Sequence, residues 1–438
     1  MRLDELLSKQ KKRTNTRGRR SSEERERERE REREPAPTRK ANRRKVSLST
    51  VLEEERQQPV TLSAPDPAIL AVMYALVGFG LVMVYSASAV WADRTLHDSN
   101  ALIRSQAMHA LLAGSAAWIV GHYGDYRWLR RAAYPLLFVT VIMLIATVAG
   151  KGHTAGGAAR WLSLGFFRVQ PAEIAKLALI LWLADSLAKK REQIRSFTVG
   201  FLPHALGAVL LGMLCLKQPD FGSAVMIGTL LFVMLFTAGA PLGYLLGLGI
   251  LSLPVAYFVV AAADYRMKRI AAFFSDTNNY QLWESQLSFG SGGIWGVGLG
   301  ESHQKLLYLP EAHTDFISSI VAEELGLVGF SAMVLMYLFL VYRGIRTSLR
   351  APDAFGTYLC VGISLFIGIQ AFTNLAVALG VFPTKGLTLP FISYGGSSLV
   401  VNCCAVGLLS NVSRLSRATS PVKTPSASGA ARPVGGVS

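Results

Sequence analysis

The sequence contains few charged residues and few cysteines. Only 17% of its 438 residues are charged, whereas soluble globular domains carry about 25%, so an ordinary soluble enzyme is not expected. Four cysteines in a chain of this length exclude a small secreted scaffold held together by disulfides. No paired CxxC spacing indicates a zinc site.

Apolar residues and positive charge are in excess. Hydrophobic residues make up 51% of the chain, the mean hydropathy is +0.34, and the formal net charge is +16. Part of the positive charge lies in residues 1–60, and the rest lies in short links between long apolar runs. This distribution is typical of a polytopic membrane protein, so we expect no nucleic-acid partner.

The composition divides the chain into three parts. Residues 1–64 show no apolar periodicity and are expected to form a disordered, charged cytoplasmic tail. Residues 65–416 contain all the long apolar runs and are expected to form the membrane domain. Residues 417–438 are rich in Ser, Pro, Gly and Ala and are expected to be a second disordered cytoplasmic tail.

The apolar runs predict an all-α fold with ten transmembrane helices, because about 20 apolar residues cross a bilayer as a helix. The predicted spans are 68–90, 105–122, 132–149, 171–187, 198–216, 222–239, 241–262, 316–342, 355–380 and 398–413. Arg and Lys cluster in the links 123–131, 188–196 and 343–354 and after the last span. All of these lie on the side of the basic N-terminal tail, which is therefore predicted to be cytoplasmic.

Two opposite charges lie within one predicted span. Glu173 and Lys176 are three residues apart, and Pro171 suits the first turn of that helix. One interpretation is a local ion pair that tunes helix packing. The other is a polar cavity in which the pair orients a charged ligand, because ionisable groups inside a span usually mark function.

The outer link before that span carries Arg160 next to Trp161. The pair suits an anchor at the membrane interface, and it equally suits an anion site, because a guanidinium binds phosphate oxygens through two hydrogen bonds. Arg168 and Lys385 add positive charge on the same side. A lipid pyrophosphate is the natural anion at that depth.

Glu311, His313 and Asp315 form a dense titratable cluster where the longest outer link meets the eighth span. Asp315 suits a helix N-cap, which needs no other purpose. It also suits a general base at the outer membrane boundary. The stretch 383–398, which contains Ser397, is irregular at membrane depth, and such backbone is tolerated only where protein or water covers it. We expect it to line the same cavity.

Five blocks of the sequence together resemble the SEDS (shape, elongation, division and sporulation) family of bacterial membrane glycosyltransferases. The blocks are Gly157–Leu162 with Gln170–Lys176, Lys217–Gly222, Tyr265–Arg269, Pro310–Phe316 and Pro383–Ser398. The Thr384–Lys385 pair resembles the cell-division branch of the family more than the elongation branch. Ser318 and Ser319 depart from the family pattern, which usually has Phe-Ala there.

The resemblance implies polymerisation of lipid II into glycan strands outside the cytoplasmic membrane, at the division septum. The family's essential aspartate matches Asp315, its loop arginine and tryptophan match Arg160 and Trp161, and its Glu/Lys pair matches Glu173 and Lys176. We expect Glu311, His313, Lys385 and Ser397 to bind substrate with them. The implied partners are a class B penicillin-binding protein and other divisome membrane proteins.

Three other functions stay open at this point. A lipid II flippase would need a cavity reachable from both faces and no base at one interface. A non-catalytic division scaffold would need no intramembrane charges, and an elongation-type polymerase would share the chemistry. The sequence establishes no cofactor, and the chemistry requires no nucleotide site. A divalent cation could bridge pyrophosphate and carboxylates, but the sequence shows no dedicated set of ligands.

Overall fold

The computed structural model describes residues 64–415 except 152, 156, 157, 165, 166, 263, 275–279, 307 and 385. The predicted tail 417–438, the predicted tail 1–64 apart from Ala64, and the predicted site residue Lys385 therefore lie outside the described residues.

The described part of the chain is mostly helical. Its α-helices are α1 (Pro67–Leu96), α2 (Ala101–His122), α3 (Leu129–Ala146), α4 (Pro171–Lys189), α5 (Leu202–Lys217), α6 (Phe221–Thr237), α7 (Leu242–Ala261), α8 (Asp264–Phe274), α9 (Tyr280–Gly292), α10 (Ile317–Arg350), α11 (Ala354–Ala378) and α12 (Gly396–Arg414). Ten of them coincide with the ten predicted spans. The other two, α8 and α9, lie in the outer link 263–315, which the apolar pattern predicts to be a loop.

Length and composition support a membrane fold. In the described ranges, seven helical segments are long and apolar enough to cross a bilayer, namely those of α1, α3, α5, α7, α10, α11 and α12, and α6 is a shorter apolar helix. The other two helices that match predicted spans, α2 and α4, are more polar. Helix α2 contains Arg104 and Gln106, and α4 contains Glu173, Lys176 and Asp185. The predicted all-α, polytopic fold is confirmed.

Proline and aspartate set the starts of several helices. Pro67 and Pro171 occupy the first turns of α1 and α4, where a missing N–H is tolerated. Asp220 caps α6 by accepting the N–H of Ser223 at 3.0 Å. Asp353 caps α11 in the same way. These caps satisfy backbone donors that would otherwise be unpaired at the helix ends.

The core of the bundle is built by α4, α11 and α12, which are buried along most of their length. In contrast, α7 is apolar all round and almost wholly exposed, which is how a helix that faces lipid should look. Cys215, Cys360 and Cys403 are buried and Cys404 is half-buried, and all four are free thiols. They pack as small apolar side chains.

The basic links meet at one end of the bundle. Arg127, just before α3, lies 3.2 Å from the Asp353 carboxylate at the start of α11. Arg130 lies 3.1 Å from Asp185 near the end of α4. The links that the sequence assigned to one side of the membrane therefore lie together in space.

The link between α3 and α4 forms a small antiparallel sheet that the sequence analysis did not foresee. Its strands are β1 (His153–Ala155), β2 (Ala158–Leu164) and β3 (Phe167–Val169), in that spatial order. Trp161 is paired with His153, and Leu162 is paired with Val169. The predicted site residues Arg160 and Trp161 are thus carried by a strand and not by an irregular loop.

The glycine-rich stretch after α9 completes a break in α10. Gly326 has φ +65°, ψ −165° and interrupts the helix. Val297 N–H donates to the Glu323 carbonyl at 3.0 Å, and Leu327 N–H donates to the Gly293 carbonyl at 2.9 Å. The loop therefore satisfies backbone groups freed by the break, as membrane depth requires.

Candidate active site

Asp315 lies in a tight turn just before α10. Glu311 begins the turn in the left-handed region, with φ +56°, and its carbonyl accepts the N–H groups of Thr314 and Asp315, both at 3.1 Å. The Asp315 carbonyl accepts a 2.8 Å hydrogen bond from Asn374 Nδ2. A Cβ added at Gly386 would lie 3.4 Å from Asp315 Oδ2, so the backbone there packs against the carboxylate.

The alternative role of Asp315 as a helix cap is not supported. Phe316 occupies the N-cap position of α10, and no side chain caps the helix there. The Asp315 carboxylate therefore has no capping role and can take part in chemistry.

The surroundings of Asp315 change its acidity. Burial, together with the nearby negative charge of Glu311, raises the pKa of Asp315 to about 7, against the opposing effects of Arg269 and Arg160. Burial also lowers the pKa of His313, although Glu311 opposes the shift. At neutral pH the turn therefore holds a neutral imidazole and a carboxyl group close to half-ionised, which suits proton transfer.

His313 packs between two aromatic rings. Its ring centroid lies 5.2 Å from that of Trp91 and 6.0 Å from that of Tyr394. The His313 carbonyl accepts the N–H of Tyr394 at 3.0 Å. Glu311 is exposed, and one of its carboxylate oxygens accepts the Thr314 hydroxyl at 2.8 Å. His313 thus fixes the turn, while Glu311 faces outward.

Arg160 joins the small sheet to the turn between α5 and α6. Its Nε donates to the Gln218 carbonyl at 3.2 Å, and its Nη2 donates to the Pro219 carbonyl at 2.6 Å. These bonds involve two of the five guanidinium N–H groups, so the side chain is held in place and can still donate to an anion. Trp161, the next residue, is half-buried.

The predicted Glu173–Lys176 pair is formed inside the bundle. Lys176 Nζ lies 2.8 Å from Glu173 Oε1, and both side chains are almost completely buried. Lys176 Nζ also lies 3.4 Å from Gln370 Oε1 and 5.2 Å from the centroid of the Phe366 ring. Glu173 Oε2 is buried and has no hydrogen-bond partner among the described residues. The two charges are therefore shielded from water, and each is stabilised mainly by the other.

Ser397 connects the start of α12 to the segment before α4. Its hydroxyl accepts the N–H of Gln170 at 3.2 Å and donates to the Arg168 carbonyl at 3.1 Å. The structure thus ties the stretch after residue 386 to the sheet that carries Arg160. Ser397 here links two segments, and its predicted contact with substrate stays a prediction.

Three polar residues near the predicted site were not among its predicted members. Gln370 and Asn374, one turn apart on α11, are buried; Gln370 Nε2 donates to the Thr388 carbonyl at 3.0 Å. Their signal in the sequence was polar side chains inside an apolar run. Arg269, exposed on α8, is close enough to Asp315 to influence its pKa. Its signal was its place in the Tyr265–Arg269 block.

A second buried ionic cluster lies where the outer link meets α1 and α10. Lys305 Nζ lies 3.1 Å from Glu324 Oε1, which also accepts the Ser86 hydroxyl at 2.6 Å. Glu323 accepts the N–H of His303 at 2.9 Å. These contacts fasten the outer link to α1 and α10.

No grouping of three or more His, Cys, Asp or Glu side chains suited to a metal ion occurs in the part of the chain that the structure describes. A divalent cation at Asp315 would need most of its ligands from the phosphate oxygens of a substrate, so it stays a hypothesis from the sequence.

Comparison with known families identifies the chain. Residues 67–418 match the model of the cell cycle protein family that contains FtsW, RodA and SpoVE. The chain belongs to this family. The match covers every predicted span, and it confirms the resemblance to the SEDS proteins.

Named relatives cover most of the chain. It is 48% identical over 360 residues to the probable peptidoglycan glycosyltransferase FtsW of Geobacter metallireducens, covering 81% of this chain and 96% of the relative. It is 40% identical over 362 residues to the stage V sporulation protein E of Bacillus subtilis, covering 81% and 98%.

Solved structures share the fold. A chain of a peptidoglycan synthase complex that coordinates polymerization and crosslinking superimposes with a TM-score of 0.67 at 30% identity, covering 80% of this chain and 98% of that one. The rod shape determining protein RodA of Thermus thermophilus gives a TM-score of 0.61 at 30% identity, covering 80% and 97%.

Proposed function

We propose that this chain is a peptidoglycan glycosyltransferase that polymerises lipid II into glycan strands on the outer face of the cytoplasmic membrane during cell division, with Asp315 as the general base. The observation that carries the proposal is the half-buried Asp315 carboxylate, which packs against Gly386 and lies close enough to Arg160 and Arg269 for both to affect its pKa. The FtsW relatives, which are named probable peptidoglycan glycosyltransferases, support the reaction class.

The residues fit the chemistry of glycosyl transfer from a lipid pyrophosphate. Asp315 takes the proton from an acceptor hydroxyl as the new bond forms between that oxygen and the anomeric carbon of the donor. The bond from the anomeric carbon to the pyrophosphate oxygen breaks, and the electron pair leaves with the lipid pyrophosphate. Arg160 and Arg269 stabilise this developing negative charge. No nucleotide is needed, because the lipid-linked donor is already activated.

The other predicted substrate-binding residues take supporting roles in this proposal. Glu311 raises the pKa of Asp315 and is exposed to an incoming sugar. His313 holds the turn between two rings. Lys176, buried against Glu173, shapes the interior behind the site, and Trp161, Lys385 and Ser397 contact the lipid-linked donor.

The pH dependence of polymerisation should follow the ionisation of Asp315. A general base acts only when deprotonated, so we expect kcat/KM to rise with pH to a plateau above about pH 7 and to fall about tenfold per pH unit below it. Initial rates of strand synthesis from about pH 5 to about pH 9 give the profile, and circular dichroism over that range checks that the protein stays folded. A profile that is flat across pH 7 would contradict a base with this pKa.

We further propose that both ends of the chain lie in the cytoplasm, with residues 65–416 as the membrane domain and residues 1–64 and 417–438 as cytoplasmic tails. The basic links that meet around Asp353 and Asp185 support this orientation. It places Asp315, Arg160 and Ser397 on the outer side, where glycan strands are built.

Cysteine labelling tests this orientation. Single-cysteine variants Glu301→Cys and Pro310→Cys, both exposed, should react with a membrane-impermeant maleimide added outside intact cells. Glu192→Cys and Arg350→Cys, exposed at the opposite end, should react only after the cells are opened. The unaltered chain is the control for its own cysteines. Labelling of Arg350→Cys from outside would overturn the orientation.

The proposed partners are a class B penicillin-binding protein, which would crosslink the strands, and other divisome membrane proteins at the septum. The similarity to a chain of a synthase complex that couples polymerization to crosslinking supports the first. Purified protein should make glycan strands from purified lipid II when its septal penicillin-binding protein is present. Transport of lipid II across vesicles without strand synthesis would instead identify a flippase.

A further inference from the structure

Asn374 contacts two separate segments of the proposed active site at once. It lies on α11 and is 2% exposed. Its Nδ2 donates to the Asp315 carbonyl at 2.8 Å and to the Leu387 carbonyl at 2.7 Å. One side-chain amide therefore joins the turn that carries Asp315 to the segment that includes Gly386, whose backbone packs against the Asp315 carboxylate.

Ser318 sets the orientation of this amide. Its hydroxyl donates to Asn374 Oδ1 at 3.3 Å, and Ser318 is fully buried on the first turn of α10. An amide oxygen can only accept and an amide nitrogen can only donate. The serine therefore holds the oxygen toward α10 and leaves both N–H groups facing the two carbonyls.

We propose that Asn374 is a positioning residue for glycosyl transfer: its amide, oriented by Ser318, sets the separation between the Asp315 turn and the 386–389 segment. This inference rests on the proposed role of Asp315 as the base. Asn374 itself does not touch the reacting atoms.

The Asp315 and Leu387 carbonyls both accept a hydrogen bond from Asn374. Without Asn374, the Asp315 and Leu387 carbonyls lose donors supplied from a buried position. A buried polar group without a partner is unfavourable, so the two segments would move toward water or toward other donors. A displacement of about 1 Å at a catalytic group can lower the rate on the order of 10²-fold.

Loosening the turn should also change the ionisation of Asp315. The charged groups that act on its pKa are Glu311 on its own turn, Arg160 on β2 and Arg269 on α8, and His313 lies two residues before it on the same turn. Burial is the largest cause of its raised pKa. If the turn opens to water, the effect of burial weakens, and the midpoint of the acidic limb should move to lower pH.

The test compares Asn374→Leu with Asn411→Leu. Leucine keeps the branch of asparagine at Cγ and removes its hydrogen bonds, and the gain in volume is the same at both positions. Asn411, near the C-terminal end of α12, is a matched control, since it is equally buried and its Nδ2 donates to the carbonyls of Val120 on α2 and Gly124 after it. Strand synthesis is measured against pH per amount of folded protein, together with melting temperature.

We expect Asn374→Leu to lower kcat on the order of 10²-fold with little change in KM and to move the acidic midpoint to lower pH. Asn411→Leu should lower the melting temperature and leave both the midpoint and kcat unchanged. If the two variants lose activity in proportion to stability and keep the same midpoint, Asn374 is a structural residue and the proposal is wrong.

Two further measurements keep the inference separate from the role of Asp315 as a base. The first is a pH titration of the infrared carboxyl band of Asp315, which is assigned as the band that Asp315→Asn removes. This titration reports the ionisation of Asp315 whether or not it is the base. An unchanged titration midpoint in Asn374→Leu would overturn the positioning role even if Asp315 is essential. The second uses Ser318→Ala, which keeps Asn374 and should shift the same midpoint in the same direction by less. An unaltered midpoint in Ser318→Ala would refute the orienting role of the serine. This variant also tests the proposal if Asn374→Leu does not fold.

Discussion

Replacing Asp315 with asparagine is expected to lower the rate of glycan polymerisation by about 10²- to 10⁴-fold, the usual effect of removing a general base. Asparagine has nearly the same shape, so it preserves the packing against Gly386 and leaves the backbone hydrogen bond from Asn374 in place. It cannot take up the acceptor proton. The measurement is strand synthesis from purified lipid II by the protein with its penicillin-binding partner.

Glu301→Gln is the matched control for this experiment. Glu301 is exposed on the same outer link, and its replacement changes the net charge by the same amount without touching the Asp315 turn. It should keep normal polymerisation. Near-normal strand synthesis by correctly inserted Asp315→Asn protein would show that another group is the base, whatever the effect of the control.

The helices could be read from the sequence because each span depends on a local property. An apolar run long enough to cross the bilayer is visible in a single stretch of residues, and all ten predicted spans coincide with helices. The outer link 263–315 contains no such run, and therefore α8 and α9 were missed. The short strands around Arg160 were missed for a similar reason, since three to seven residues with glycine between them carry little signal of alternation.

Contacts within the site could likewise be predicted only between residues that are close in the sequence. Glu173 and Lys176 could be paired from the sequence because residues three apart share a helix face. Asn374 is 59 residues from Asp315 and 13 residues from Leu387, and no periodicity predicts such contacts. Whether Asp315 caps α10 could likewise not be decided from spacing, since it depends on where the first turn of α10 begins.

Neutralising one member of the buried Glu173–Lys176 pair is expected to destabilise the protein by about 3–5 kcal/mol, because it leaves an unpaired charge in a medium of low dielectric constant. Lys176→Met would leave Glu173 without its cation, and Glu173 Oε2 already lacks a hydrogen-bond partner. Glu173→Gln would leave the ammonium of Lys176 with Gln370 and the Phe366 ring. Each single variant should show a lower melting temperature in detergent and weaker polymerisation.

The double variant Glu173→Gln/Lys176→Met should lose less stability than the sum of the losses in the two single variants, since it leaves neither charge unpaired in the bundle interior. The matched control is Arg104→Met, which removes a long cationic side chain from the exposed pair with Asp98; exposed pairs contribute only about 0–1 kcal/mol. If Lys176→Met melts at the same temperature as Arg104→Met, water reaches the pair and it is not a buried one. Lys176 contacts Gln370, which in turn donates to the Thr388 carbonyl in the 386–389 segment. If the single variants lose stability but keep full activity, these contacts do not position that segment. The pair would then stabilise the bundle without shaping the site.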